Sequence, residues 1–129
     1  MQGFITNIEI STLNNTDYRR VLYTSRHAQL VLMSIDPGEE IGDEVHHLDQ
    51  FIRFEQGQAR VTLDGVSHDV AEDWAVMIPA GMRHNVVNVG TVPLKLYSVY
   101  APPEHKEGTV HPTKGDVVEE PFDGTITEG

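Results

Sequence analysis

The chain has 129 residues, 20 acidic against 9 basic, a net charge of −11 and no cysteine. That length is one domain, large enough to close a hydrophobic core without staples. The missing cysteine excludes disulfides, thiolate metal sites and cysteine nucleophiles, and the acidic balance disfavours phosphate backbones and anionic membrane surfaces.

From the N-terminus, Met1–Asn7 lacks a basic stretch followed by an apolar run, and no segment reaches the apolar length of a membrane span. A cytoplasmic location with no nucleic-acid and no membrane partner is expected. Phe4 to Ile10 reads as a first strand, followed by Tyr18 to Thr24, Gln29 to Ile35 and Gln50 to Glu55. Ala59, Val61 and Leu63 alternate with polar residues, Asp64-Gly65 supplies a two-residue hairpin turn, and Val66, His68 and Val70 continue the alternation. Ala75 to Ile78, His84 to Val89 and Leu94 to Ala101 complete the set. Asp36-Pro37-Gly38, Gln56-Gly57, Pro79-Ala80-Gly81 and Gly90 punctuate it. Short strands at this spacing predict a closed all-β sandwich or barrel. Thr113 to Glu120 is expected to form a short helix capped by Thr113. Residues 1–101 read as the barrel domain, with N-terminal strands, and 102–129 as an irregular C-terminal tail packed on it.

Glu44, His46, Leu48, Gln50, Ile52 and Phe54 share one parity, so a continuous strand presents them on one face, polar first and apolar last. A barrel with a polar mouth and an apolar floor has this pattern. Pro79 and Gly81 form a turn that delivers His84 to the next strand, and Asn88 follows with the same parity as a candidate partner for it. Glu44, His46, Gln50 and His84 each offer a lone pair. Two imidazoles, a carboxylate and an amide oxygen suit one divalent transition-metal ion, without distinguishing Mn, Fe, Zn or Ni. His47 has the opposite parity and is expected at the surface or rim. His68 reads as a partly buried hairpin residue, and His105 and His111 as solvated loop residues that a folded-back tail can bring to the mouth. Arg53 and Arg83 are expected in structural ion pairs, and Trp74, Phe51 and Phe54 in the core.

These segments resemble the two signatures of single-domain cupins. Gly38, Glu44-Val45-His46, Gln50 and Gly57 fit the spacing of the first, and Pro79, Gly81, His84 and Asn88 fit the second, with Asp73 where its leading Gly stands. Glu44 replaces the usual first His and Gln50 the usual Glu, so the formal ligand charge is unchanged. The resemblance implies a double-stranded β-helix, a jelly-roll-like barrel. The tail sequence from Tyr100 to His105 and Gly108 to His111 is similar to small bacterial cupins called mannose-6-phosphate isomerase-like. That likeness implies a small-molecule ligand and a metal-dependent isomerase; Glu104, His105 and His111 are candidate bases only because the tail can reach the mouth. The His-His-carboxylate set equally suits a metal-dependent dioxygenase, and a non-catalytic binding cupin is the third class. A homodimer is expected, its interface covering the edge of the N-terminal strand.

Overall fold

A computed structural model describes residues 1–129. Strands β1 (Arg19–Thr24), β2 (Gln29–Ile35), β3 (Asp49–Gln56), β4 (Gln58–Leu63), β5 (Val66–Ala71), β6 (Ala75–Ile78), β7 (His84–Asn88), β8 (Leu94–Ala101) and β9 (Val110–His111) follow a short helix α1 (Ile8–Asn14). They form a six-stranded sheet ordered β6-β3-β8-β2-β1-β9 and a three-stranded sheet ordered β5-β4-β7. Every pairing is antiparallel. Glu39 to Glu44 runs along the free side of β7, through bridges Glu40 to Val87 and Glu44 to His84, and so extends the smaller sheet. The all-β barrel expected from the alternation is the fold observed, in the double-stranded β-helix form that the cupin resemblance implies.

Period-two patterning explains the core. Ile52 and Phe54 of β3, Val31, Met33 and Ile35 of β2, Leu94 and Leu96 of β8, and Ala59 and Val61 of β4 all join one buried cluster. Each lies on the inward parity of its strand. Asp64 and Gly65 both have positive φ, 46° and 83°, as the two-residue turn between β4 and β5 requires.

The N-terminal strand is not formed. Asn7 instead caps α1, its Oδ1 accepting from the Ile10 N–H at 3.1 Å, with Glu9 in the first turn. A side-chain cap and an acid near the positive helix end outweigh a short apolar alternation. The helix packs on β8 and β3 outside the barrel, and the sheet edges left free are β6, β9 and β5.

The expected helix over 113–120 shrinks to a 3-10 turn, Lys114–Asp116. The Asp116 carboxylate accepts from the Thr113 N–H at 3.0 Å and hydroxyl at 2.7 Å. Val117 is already extended, because two β-branched valines and a residue preceding Pro121 disfavour continuation. The tail is not wholly irregular, since β9 pairs with β1. Phe54 is fully buried, but Trp74 is 56% exposed. It sits in the turn before β6, its N–H bonded to Ala71 O and its C=O to Phe54 N–H, and the turn carries its ring off the inward face.

Candidate metal centre

Backbone pairing assembles this site. Glu44 and His84 exchange both N–H···O bonds at 2.9 Å. Gly81, at φ +87°, donates its N–H to His46 O at 2.8 Å. The Pro79-Ala80-Gly81 turn thus fixes His46 relative to the His84 it precedes, and a positive φ there is what glycine supplies. The ligand atoms of Glu44, His46 and His84 all lie within 4.8 Å of one another, a group able to hold a metal ion.

The second nitrogen of each imidazole is accounted for. His84 Nδ1 contacts the Met82 carbonyl at 3.0 Å; a carbonyl only accepts, so Nδ1 carries the proton and Nε2 keeps a free lone pair. His46 Nε2 lies 2.6 Å from Glu44 Oε2, and its Nδ1 lies 3.4 Å from Glu104 Oε1. Burial works to lower the His46 pKa, but the two carboxylates together outweigh it and raise it to about 9. His46 is therefore an imidazolium held between two carboxylates here. Release of the Nε2 proton leaves the carboxylate–imidazole arrangement common at metal-bound histidines, with Glu104 fixing the ring.

Gln50 is buried on β3. Its Nε2 donates to Ser98 Oγ at 3.2 Å and to Tyr100 Oη at 3.3 Å, while its Oε1 is buried with no partner. The Tyr100 ring stands edge-on to His46, centroids 6.0 Å apart, and burial holds its phenol well above the usual pKa. The Glu44, His46 and His84 donors fit a divalent ion, and the orphaned Gln50 Oε1 is compatible with a place in such a donor set.

Beside these residues opens a pocket of about 310 Å³ lined by Arg19, Glu44, His46, Glu104, His105 and Glu119 among others. His105 and His111 are buried, not solvated. Gln29 clamps the tail, its Nε2 donating to His105 O at 2.7 Å and its Oε1 accepting from His105 N–H at 3.0 Å. His111 faces Arg19 across the β1–β9 ladder. Burial, reinforced by Arg19, His46 and His111, pushes the His105 pKa down to about 3, so His105 is neutral.

Other expectations sort cleanly. His47 is exposed, as its parity requires; His68, expected partly buried, is exposed instead, because β5 is an edge strand, although it shares the inward parity of Val70 and pairs with buried Val61. Arg83 pairs with Asp43 at 2.6 Å, and Arg53 with Glu55 at 2.8 Å and Asp73 at 3.1 Å. Asn88 does not support His84; its amide donates to Ile35 O and Val92 O and accepts from Gly90 N–H, tying the end of β7 to its following turn. Arg19 is the lining residue with no prior signal beyond parity. It alternates with exposed Arg20 and shares the inward phase of Val21.

A two-sheet antiparallel barrel with a Glu-His-His cluster at one end defines a class, and comparison with known proteins agrees. The Cupin domain family matches residues 31–100, and the chain belongs to that family. It is similar to YrkC of Bacillus subtilis, 49% identical over 123 residues, covering 89% of this chain and 66% of YrkC. The chain thus spans just under two thirds of that relative's length. It is equally similar to the crystal structure of BH2720 from Bacillus halodurans, 49% identical with a TM-score of 0.87, covering 89% of this chain and 92% of that one. A cupin superfamily protein from Desulfitobacterium hafniense, DSY2733, is 25% identical with a TM-score of 0.62, over 68% of this chain and 79% of its own.

Proposed function

We propose that Glu44, His46, Gln50 and His84 hold one divalent transition-metal ion, and that the protein is a metal-dependent enzyme moving a proton on a small molecule, in the manner of a sugar isomerase. The observation behind this reading is the buried, unpartnered Gln50 Oε1 together with the Glu-His-His group. Leaving a carbonyl buried and unpaired costs about 1–3 kcal/mol, which coordination offsets. A bound ion supplies Lewis acidity toward a carbonyl and its neighbouring hydroxyl. Glu104 orients His46 through Nδ1 and, lining the pocket, is the candidate base. His105, neutral to about pH 3, suits hydrogen bonding better than proton transfer. Elemental analysis of the purified protein with His46→Ala and His84→Ala tests the centre; stoichiometric metal in both variants overturns it.

A second reading has its own support, since Glu44, His46 and His84 also have the donor composition of the facial triad of oxygen-using iron enzymes. Turnover that persists without oxygen rules against it. Inactivity of the metal-loaded protein across a broad substrate panel favours a non-catalytic binding cupin. Residues 1–101 are taken as the barrel domain and 102–129 as a tail that walls the pocket, as the lining positions of Glu104, His105 and Glu119 suggest. A cytoplasmic homodimer belongs to the same proposal. Its supporting feature is the exposed apolar set Val66, Trp74 and Met77 at the β5 and β6 edges. No helix is long and apolar enough to cross a membrane.

A further inference from the structure

The metal reading leaves two buried polar groups unused. Arg19 is 3% exposed, and its Nε has no hydrogen-bond partner. Its Nη1 meets only His111 Nδ1, at 3.4 Å, and Glu119 Oε1, at 3.9 Å, and the guanidinium lies over the Tyr18 ring, 5.5 Å from its centroid, a contact that leaves the N–H donors free. Glu119 is a weak counterion: its side chain is 73% exposed, and an ion pair at that distance and exposure is screened by water. His105 is 5% exposed with an unpartnered Nε2. Both side chains line the pocket that contains Glu44 and His46.

A buried guanidinium is ordinarily matched by a carboxylate through paired N–H···O bonds, because an uncompensated buried charge is costly. No carboxylate of this chain fills that place for Arg19. We infer that Arg19 and His105 anchor the carboxylate of a small organic acid, bound in the pocket beside the metal donors. The inference rests on the proposed function only in taking this pocket as the ligand site. A monoanion fits better than a phosphate dianion, since Arg19 shares the lining with three carboxylates, Glu44, Glu104 and Glu119, whose repulsion grows with ligand charge. A short hydroxy acid places one oxygen pair on Arg19 and leaves its hydroxyl for the metal side of the pocket.

The test uses the full chain, chelated and zinc-reconstituted, with glycolate as probe and inorganic phosphate and ethylene glycol as comparisons. The readout is the NMR signal of Arg19 Nε–H and the His105 ring, with zinc content measured on the same samples. Glycolate is expected to shift both signals saturably in both samples, phosphate to bind more weakly, and ethylene glycol not at all. Arg19→Met is expected to weaken glycolate binding by about tenfold or more, as loss of a charge-assisted pair does. Arg19→Lys, which keeps the charge without the planar fork, falls between. Since Arg19 is buried in β1, Glu119→Gln provides a variant at an exposed position. Removing this competing carboxylate is expected to tighten glycolate by roughly twofold or more, in line with a weak exposed pair. Absence of any Arg19 shift, phosphate binding as tightly as glycolate, or glycolate binding unchanged in Glu119→Gln overturns the assignment. Zinc taken up stoichiometrically by the reconstituted sample without a glycolate shift refutes the anchor alone; a glycolate shift in both samples with the reconstituted sample failing to take up stoichiometric zinc refutes the metal centre alone.

Discussion

Gln50→Leu separates a metal ligand from a structural amide. The side chain is 3% exposed, donates to Ser98 and Tyr100, and leaves Oε1 unpaired. Leucine preserves the volume approximately. In metal-free protein the change removes two neutral hydrogen bonds, each worth about 1 kcal/mol net, and also removes an orphaned carbonyl costing about 1–3 kcal/mol. These effects oppose, so metal-free stability should move by less than about 1 kcal/mol. Metal at a hundred times its dissociation constant stabilises the wild type by about 2.7 kcal/mol. For a chain of this length that corresponds to a rise of roughly 10 °C in Tm. Losing one charge-assisted donor weakens binding by roughly 10- to 100-fold, so between about half and most of that rise disappears in the variant. Thermal unfolding with chelator and with added metal, paired with elemental analysis, measures both arms. If the metal-free variant is destabilised by about 3 kcal/mol or more while its metal-induced rise equals the wild type's, Gln50 is structural and the reasoning fails.

The remaining predictions address the tail, the barrel and the assembly. His105 has a folded pKa pushed down to about 3 against about 6.5 in the unfolded chain. Between these values the unfolded state takes up a proton that the folded state refuses, so its contribution is complete above pH 6.5 and is lost as pH falls toward 3. His105→Asn should flatten that part of the stability profile in chelated protein, read by urea midpoints from pH 3 to 6.5; an unchanged slope shows that the tail histidine is not the cause. Gly57 has φ +97°, and an added Cβ would lie 3.2 Å from Leu94 Cα. Gly57→Ala should therefore cost about 2 kcal/mol, and a variant as stable as wild type in denaturant titration contradicts this. Sedimentation should give twice the chain mass of 14.4 kDa, with Trp74→Glu shifting the protein toward monomer; a monomeric wild type removes the dimer.

Local chemistry explains which parts of the site were legible. Glu44, His46 and His84 converge because a Pro-x-Gly turn and one antiparallel bridge bring them together, and both leave marks in a linear sequence. Strand parity likewise placed Ile52 and Phe54 inside and His47 outside. The burial of His105 and His111 left no such mark. It depends on Gln29 and Arg19, residues distant in sequence that act through side-chain hydrogen bonds and an edge-strand pairing. Helix α1 was hidden for the opposite reason: Asn7 and Glu9 are clear local signals, but they sit inside the apolar alternation of Phe4 to Ile10 that mimics a strand. Trp74 misleads because hydrophobicity fixes a preference for burial, not the direction a turn points its residue.

The two departures from the cupin signature become one arrangement when burial is considered. Position 50 lies in the dry floor, 3% exposed, among Ser98, Tyr100 and apolar neighbours. Position 44 lies at the mouth, its side chain 29% exposed and paired with His46. A carboxylate at position 50 would need a counterion at all times, since an unpaired buried charge is far more costly than an unpaired amide. Placing the carboxylate at 44 and the neutral amide at 50 keeps the charge where water and the His46 imidazolium compensate it before any metal arrives. The exchange therefore yields a pocket whose metal-free form is less strained electrostatically, at the expense, in the proposed metal centre, of a weaker donor in the floor. Gln50→Glu should reverse that balance, lowering metal-free stability in thermal unfolding while tightening metal in competition with a chelator. Equal metal-free stability of Gln50→Glu and wild type would show that the floor is wetter than its burial implies and would remove the physical reason for the exchange.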